Sequence, residues 1–69
     1  MWKKIDNLEI IAGVSHGDLI SDNPQDETTV YQVHGLANGY IRLLHLNGVN
    51  SLKIFPEKDL ISGKWWIRK

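Results

Sequence analysis

Two Asn-Gly pairs, nine positions apart, constrain the fold of this chain more than any other feature. Asn38-Gly39 and Asn47-Gly48 each lie between segments rich in β-branched, aromatic and aliphatic residues. Asn-Gly supplies the positive φ angles that a two-residue type I′ hairpin turn requires. The sequence therefore predicts a three-stranded antiparallel meander over residues 28–37, 40–46 and 51–55.

The first of these turns also predicts a register, because side chains alternate between the two faces of a strand. Uninterrupted pairing gives the partners Ala37–Tyr40, Leu36–Ile41, Gly35–Arg42, Val33–Leu44 and Gln32–His45. Continued across the second turn, the alternation gives one face Ile41, Leu43, Leu52 and Ile54, and the other face Tyr40, Arg42, Lys53 and Phe55. Both faces are substantially apolar, which predicts either that the strands bend so that each face is buried over part of its length, or that another segment covers the second face.

Length and composition exclude several classes of protein. A chain of 69 residues forms one domain with a marginal core, and the absence of cysteine excludes disulfides and thiolate metal sites. No apolar run reaches the length of a membrane span, and the first residues lack the pattern of a signal peptide, so we expect a cytoplasmic protein. The formal net charge of zero argues against a dedicated non-specific DNA binder.

Outside the meander, the pattern predicts short elements. "HGDLIS" is typical of a short strand, and residues 22–28 form a polar, acidic loop. Pro56 ends the third meander strand, and "PEKDLI" predicts a single 3₁₀ turn. "KWWIRK" is then the last strand. Residues 1–15 fit either a helix or an extra strand, because Trp2, Ile5, Leu8 and Ile11 recur at helical spacing.

This order of elements resembles the SH3-like small β-barrels. The resemblance covers most of residues 16–69 and implies an all-β barrel of five or six antiparallel strands, with residues 1–15 as an N-terminal extension. Bacterial and phage relatives with this outline bind proteins, nucleic acid or their own copies. Peptide-binding SH3 domains begin with an aromatic-rich motif, and the corresponding stretch here is "HGDLISD". Their paired tryptophans open a middle strand, whereas Trp65 and Trp66 lie in the last one. The resemblance therefore does not imply a groove for proline-rich peptides.

The last strand contains the first candidate binding residue. Alternation directs Trp65 and Ile67 inward and leaves Trp66 outward, between the cations Lys64 and Arg68. An exposed indole between cations suits cation–π contacts, base stacking or the anchoring of a protein partner. The alternative is that Trp66 packs under the N-terminal segment, against Trp2.

Together these residues predict an aromatic and cationic binding face. Its members are Tyr40, Arg42, Lys53, Phe55, Lys64, Trp66 and Arg68. We expect a non-enzymatic module that uses this face for protein–protein interaction or self-association. The alternative is nucleic-acid binding by the same face, in which Lys64, Arg68 and Lys69 hold phosphates while Trp66 or Phe55 stacks on bases.

The three histidines predict neither a metal site nor catalysis. The uninterrupted register makes His34 and His45 diagonal neighbours, but no third ligand is near them. His16 and Asp18 lack a nucleophile with a defined geometry. We therefore expect no metal and no cofactor, and histidines at the rim of the fold that hydrogen-bond to backbone groups.

Overall fold

A computed structural model describes residues 1–46 and 51–69, which form one antiparallel sheet in the strand order β1-β6-β2-β3-β4-β5. The strands are β1 (Lys3–Lys4), β2 (Leu19–Ser21), β3 (Val30–Ala37), β4 (Tyr40–His45), β5 (Leu52–Pro56) and β6 (Trp66–Arg68). The predicted predominance of antiparallel β-structure is confirmed. Among the described residues β1 and β5 are the two edges of the sheet and do not pair with each other, so the sheet is not closed into a barrel.

The N-terminal segment contains both of the elements that its pattern allowed. β1 pairs with β6, and helix α1 (Leu8–Ala12) follows it. Asn7 caps this helix, since its side chain accepts a hydrogen bond from the Ile10 backbone N–H at 3.1 Å. Between strand and helix, Ile5 is fully buried. The first residues thus extend the sheet at one edge and then turn onto its covered face.

The first predicted hairpin turn is confirmed, and the second lies outside the described residues. Asn38 and Gly39 have φ angles of 54° and 80°, as a type I′ turn requires. The predicted strand over 28–37 begins later, because Glu27–Thr29 forms a 3₁₀ turn that Asp26 caps. A second 3₁₀ turn, Glu57–Ile61, follows β5 as predicted and buries Leu60 completely.

A β-bulge interrupts the predicted register between β3 and β4. The pairs from Ala37–Tyr40 to Gly35–Arg42 form as expected, but His34 is then skipped and Val33 pairs with Leu43. The predicted pairs Val33–Leu44 and Gln32–His45 are therefore wrong. The extra residue in β3 brings Val33 and Leu43 to the same face, where both are fully buried.

One face of the sheet contains the core, and we call it the inner face. Helix α1 and the second 3₁₀ turn contact each other, and their side chains Ile11 and Leu60 belong to the buried cluster. The other members of that cluster are Ile5, Val14, Ile20, Val33, Ile41, Leu43 and Ile67. The opposite, outer face is where apolar side chains of β4 and β5 remain exposed.

Candidate interaction face

The structure divides the predicted binding face between the two sides of the sheet. Arg42 pairs with Ile54, and Lys53 pairs with Leu43. Arg42 and Lys53 therefore do not share a face, and the expectation that they do is wrong. The covered side of β4 carries Ile41 and Leu43, and the strand register brings Phe55 to that side against Ile41.

Phe55 and Lys53 belong to an aromatic cluster at the rim of the core. The ring of Phe55 lies 5.3 Å from that of Trp65 and 6.3 Å from that of Tyr31, measured between centroids. The Lys53 ammonium lies 5.9 Å from the Tyr31 ring, within the range of a cation–π contact. Phe55 and Lys53 therefore make contacts inside the fold, on the inner face at the β5 edge.

Tyr40 and Arg42 remain on the outer face, where two residues of β5 join them. Register places Ile54 beside Arg42, and Leu52 lies two residues away on the same side. The exposed fractions are 51% for Tyr40, 51% for Leu52 and 58% for Ile54. We call Tyr40, Arg42, Leu52 and Ile54 the outer patch. Three large apolar side chains half open to solvent, around one guanidinium, make it the most apolar exposed part of β4 and β5.

Gly35 shapes one side of the outer patch. A Cβ atom built on Gly35 would lie 3.2 Å from Cδ of Arg42, so the methylene stem of Arg42 runs directly across this glycine. Gly35, Ala37, Tyr40, Arg42 and Ile54 line a shallow cavity there. Glycine thus lets an arginine stem pack on the strand while its charged end stays exposed. The predicted position of Gly35 opposite Arg42 is confirmed.

The predicted alternation set Leu52 and Ile54 on the same face as Ile41 and Leu43, and the structure shows them on the opposite face. β5 alternates apolar residues with Lys53, and a lysine between two aliphatic residues ordinarily faces solvent. Here the strand is turned the other way, because Phe55 follows at the spacing that shares a face with Lys53 and fills the core rim. Packing of the Phe55 ring against the core therefore sets the orientation of β5, and the Lys53 ammonium lies over the Tyr31 ring.

The last strand has the predicted alternation, and its indoles differ in environment. Ile67 is buried and Trp65 packs against the core, while Trp66 is half-buried on the opposite side. The cation over the Trp66 ring is Lys4, at 5.8 Å from the centroid. Trp66 also lines a cavity together with Trp2. The alternative prediction, in which Trp66 packs against Trp2, therefore agrees with part of its surroundings.

The remaining predicted cations lie apart from the outer patch. Lys64 is exposed before β6 begins, and Arg68 is exposed at its end, in a cavity that Glu27 also lines. Lys69 forms an ion pair with Asp18 at 3.3 Å and donates to the Gly13 carbonyl oxygen. The seven predicted residues therefore occupy three places: Tyr40 and Arg42 in the outer patch, Lys53 and Phe55 at the core rim, and Lys64, Trp66 and Arg68 near β6.

The acidic loop between β2 and β3 is organised by its own hydrogen bonds. Asp26 accepts from the Thr28 hydroxyl at 2.6 Å and from the Thr28 backbone N–H at 3.0 Å. These two bonds, the side-chain bond first, lower the pKa of Asp26 below its ordinary value. Nearby, the buried Ser21 hydroxyl hydrogen-bonds with Thr29 at 2.8 Å. These bonds favour the charged form of Asp26 and hold the loop in its turn.

The histidines are separated by the bulge in β3. His34 lies 5.2 Å from the ring of His16 and hydrogen-bonds to Gln32, whereas His45 pairs with Tyr31 and donates to the Thr28 carbonyl oxygen at 2.6 Å. The predicted diagonal contact between His34 and His45 is wrong, because the skipped residue moves them apart. In the described parts of the chain no group of three histidine, aspartate or glutamate side chains is arranged to hold a metal ion.

Comparison with known proteins identifies no relative: no protein-family model, no curated protein and no solved structure matches the chain. Residues 1–46 and 51–69 contain no helix of the length and apolar character that crossing a membrane demands.

Proposed function

We propose that this chain is a small, non-enzymatic binding module that contacts protein surfaces through the outer patch, and that its first partner is a second copy of itself. The observation that carries this proposal is the exposure of Tyr40, Leu52 and Ile54, each by about half, along the outer face of β4 and β5. Contiguous exposed apolar side chains with a polar surround mark interaction sites in small domains. Aromatic and arginine side chains also supply much of the binding energy at protein interfaces.

Size and charge support self-association in particular. A domain of 69 residues without disulfides buries a small core, and a partner subunit is one of the usual ways to stabilise such a domain. The formal net charge of zero removes long-range repulsion between copies. The net charge therefore sets no overall electrostatic barrier to contact between like chains.

The SH3-like resemblance is part of this proposal. From β2 onward the elements follow the order that suggested it: a strand, an acidic loop, a three-stranded meander, a 3₁₀ turn and a last strand. Small barrels of this outline host many different binding functions, so the fold by itself does not choose the partner. We place the protein in the cytoplasm on the same footing, since a chain without cysteine suits a reducing compartment.

Nucleic-acid binding is the second candidate, and the surroundings of Trp66 are the observation that favours it. Trp66 is half exposed, Lys4 lies over its ring, and Arg68 follows on the same face of β6. An aromatic ring flanked by cations can stack on a base while the cations contact phosphates. However, Asp22 lines the same cavity as Trp66, and Glu27 lines that of Arg68. These carboxylates oppose a phosphate backbone, so we rank this candidate below protein binding.

Sedimentation velocity from micromolar to millimolar concentration tests the proposal. We expect reversible self-association that changes little with salt, and a dissociation constant at least about tenfold higher for Ile54→Lys, because a charge replaces a buried apolar side chain in the contact. Leu8→Lys is the matched control, since Leu8 on α1 is exposed to the same 58%. A wild-type chain that stays monomeric throughout overturns the proposal.

A fluorescently labelled single-stranded oligonucleotide separates the second candidate from the first. Nucleic-acid binding weakens steeply between low and moderate salt, because phosphate contacts release counterions. Retention at low salt that is lost in Arg68→Ala and retained in Ile54→Lys would assign the function to the Trp66 region instead. Absence of retention at low salt eliminates nucleic acid as the partner.

A further inference from the structure

β5 is an edge strand, and two of its residues in the outer patch, Leu52 and Ile54, direct their backbone N–H and C=O groups to the open edge. In an antiparallel ladder, residues alternate between those whose backbone groups bond the neighbouring strand and those whose groups point away. His45 N–H bonds to Ser51 C=O at 3.1 Å, and Glu57 N–H bonds to Gly39 C=O at 2.8 Å, so Ser51 and Glu57 point toward β4. Between them the alternation directs the backbone N–H and C=O groups of Leu52 and Ile54 to the open edge.

Pro56 agrees with this assignment. Pro56 pairs with Tyr40 of β4, at a position where the backbone N–H that proline lacks would have faced the open edge. The proline therefore takes no hydrogen bond from the β4–β5 ladder. It leaves Leu52 and Ile54 as the two donors on the open side of β5, with the Pro56 carbonyl as a further acceptor.

We propose that β5 pairs antiparallel with β5 of a second copy across a twofold axis at Ile54, which joins the two sheets into one continuous sheet. This inference rests on the proposed self-association and specifies its mode. Ile54 then exchanges two backbone hydrogen bonds with Ile54 of the second copy. The Leu52 N–H of each copy donates to the other's Pro56 carbonyl, so four backbone hydrogen bonds join the copies.

The side chains are self-complementary in this register. On the outer face, Ile54 meets its own copy and Leu52 lies beside Pro56. On the inner face, Lys53 lies opposite Phe55 of the second copy, which places an ammonium beside an aromatic ring. A register centred on Lys53 has the same number of hydrogen bonds but sets two lysines opposite each other, which is destabilising.

The guanidinium groups of the outer patch do not oppose this pairing. Arg42 lies one strand inward from Ile54, so the two copies of Arg42 are three strand spacings apart, about 14 Å. This distance exceeds the Debye length of about 8 Å at physiological ionic strength. A second copy is the occupant that these features favour over an unrelated strand, because each group on the edge finds its complement in the same five residues, Leu52–Pro56.

Amide hydrogen exchange on the wild-type chain is the deciding experiment. It compares a concentration at which sedimentation shows the dimer with one at which it shows the monomer. We expect the Leu52 and Ile54 amides to exchange at least about tenfold more slowly in the dimer, while the Lys3 amide on β1 exchanges equally in both. Equal exchange of Leu52 and Ile54 in the two samples overturns the edge pairing. It leaves the proposed function standing if Ile54→Lys still weakens the dimer.

The variant Ile54→Pro tests the same point from the backbone. It removes the outward N–H without removing a bond to β4, so we expect a dissociation constant at least about tenfold higher, since the dimer loses two hydrogen bonds. Ile54→Thr is the matched control that keeps the N–H and shortens the apolar side chain. An unchanged dissociation constant for a folded Ile54→Pro overturns the inference. If this variant does not fold, the exchange measurement decides.

Discussion

The two edges of this sheet are built in opposite ways. β1 has two residues, both exposed lysines, whereas β5 has five residues and presents Leu52 and Ile54 to solvent. Short strands and edge lysines are the usual protection of a sheet edge against pairing with another chain. Protection is therefore unequal in this molecule: β1 has both protective features, while β5 retains apolar side chains and backbone groups that face the open edge.

β5 is not entirely without protective features, and their positions are informative. Pro56 stands at its end, and Lys53 faces the covered side of the sheet. Both are residue types that restrain edge pairing. Here Pro56 limits how far a second strand can pair, and Lys53 disfavours one of two registers. Such features select one particular pairing at β5 and do not block the edge.

The largest expected effect concerns the way in which β1 is held. Ile5 is fully buried, and its N–H bonds to the Trp65 carbonyl at 2.9 Å. If burial of Ile5, and not the two-residue strand, fastens this edge, Ile5→Ala lowers the free energy of unfolding by about 2–5 kcal/mol. Urea unfolding followed by tryptophan fluorescence measures this change. Lys3→Ala, which removes an exposed side chain of the same edge, is the control, and a loss of the same size there would contradict the role assigned to burial of Ile5.

Helix α1 links the β1 edge to the core, and its cap predicts an intermediate effect. Asn7→Ala removes the acceptor for the Ile10 N–H and lowers the free energy of unfolding by about 0.5–2 kcal/mol. Thermal and urea unfolding both report this change. Asn7→Asp retains an acceptor at the cap and serves as the control. We expect the dissociation constant of the dimer to stay unchanged in Asn7→Ala, and a rise would show that the two edges are coupled.

The smallest expected effect comes from removing the charges at β1. In the double variant Lys3→Ile, Lys4→Ile the edge becomes apolar but remains two residues long. We expect no new association in sedimentation velocity, because so short a strand offers too few hydrogen bonds to hold a second chain. Higher oligomers in this variant would show instead that charge, not length, closes the β1 edge.

Part of the fold follows directly from local sequence. The Asn38-Gly39 turn, the 3₁₀ turn after Pro56 and the alternation of Trp65, Trp66 and Ile67 all form as predicted. Each depends on residues that are adjacent in the chain, whose backbone preferences do not need distant contacts. For the same reason, the N-terminal segment was predicted only as helix or strand: its pattern fits both, and it contains both.

The candidate site was less accessible to sequence reasoning. A single skipped residue, His34, changes the partner of Val33. The orientation of β5 exchanges Lys53 and Phe55 for Leu52 and Ile54 on the outer face. Neither event has a signal in adjacent residues, because the first depends on how β3 pairs with β4 and the second on how β5 pairs with β4. Tyr40 and Arg42 are the predicted residues that remain in the outer patch.

A small antiparallel β-structure with its first hairpin and its last strand follows from the amino-acid sequence, because turn chemistry and period-two alternation act over a few residues. Which face is covered and which edge stays open are properties of the folded chain. Those outcomes depend on packing between residues far apart in the chain, such as Ile5 beside Trp65 and Phe55 beside Trp65. A shift of one position in a strand moves every later side chain to the opposite face.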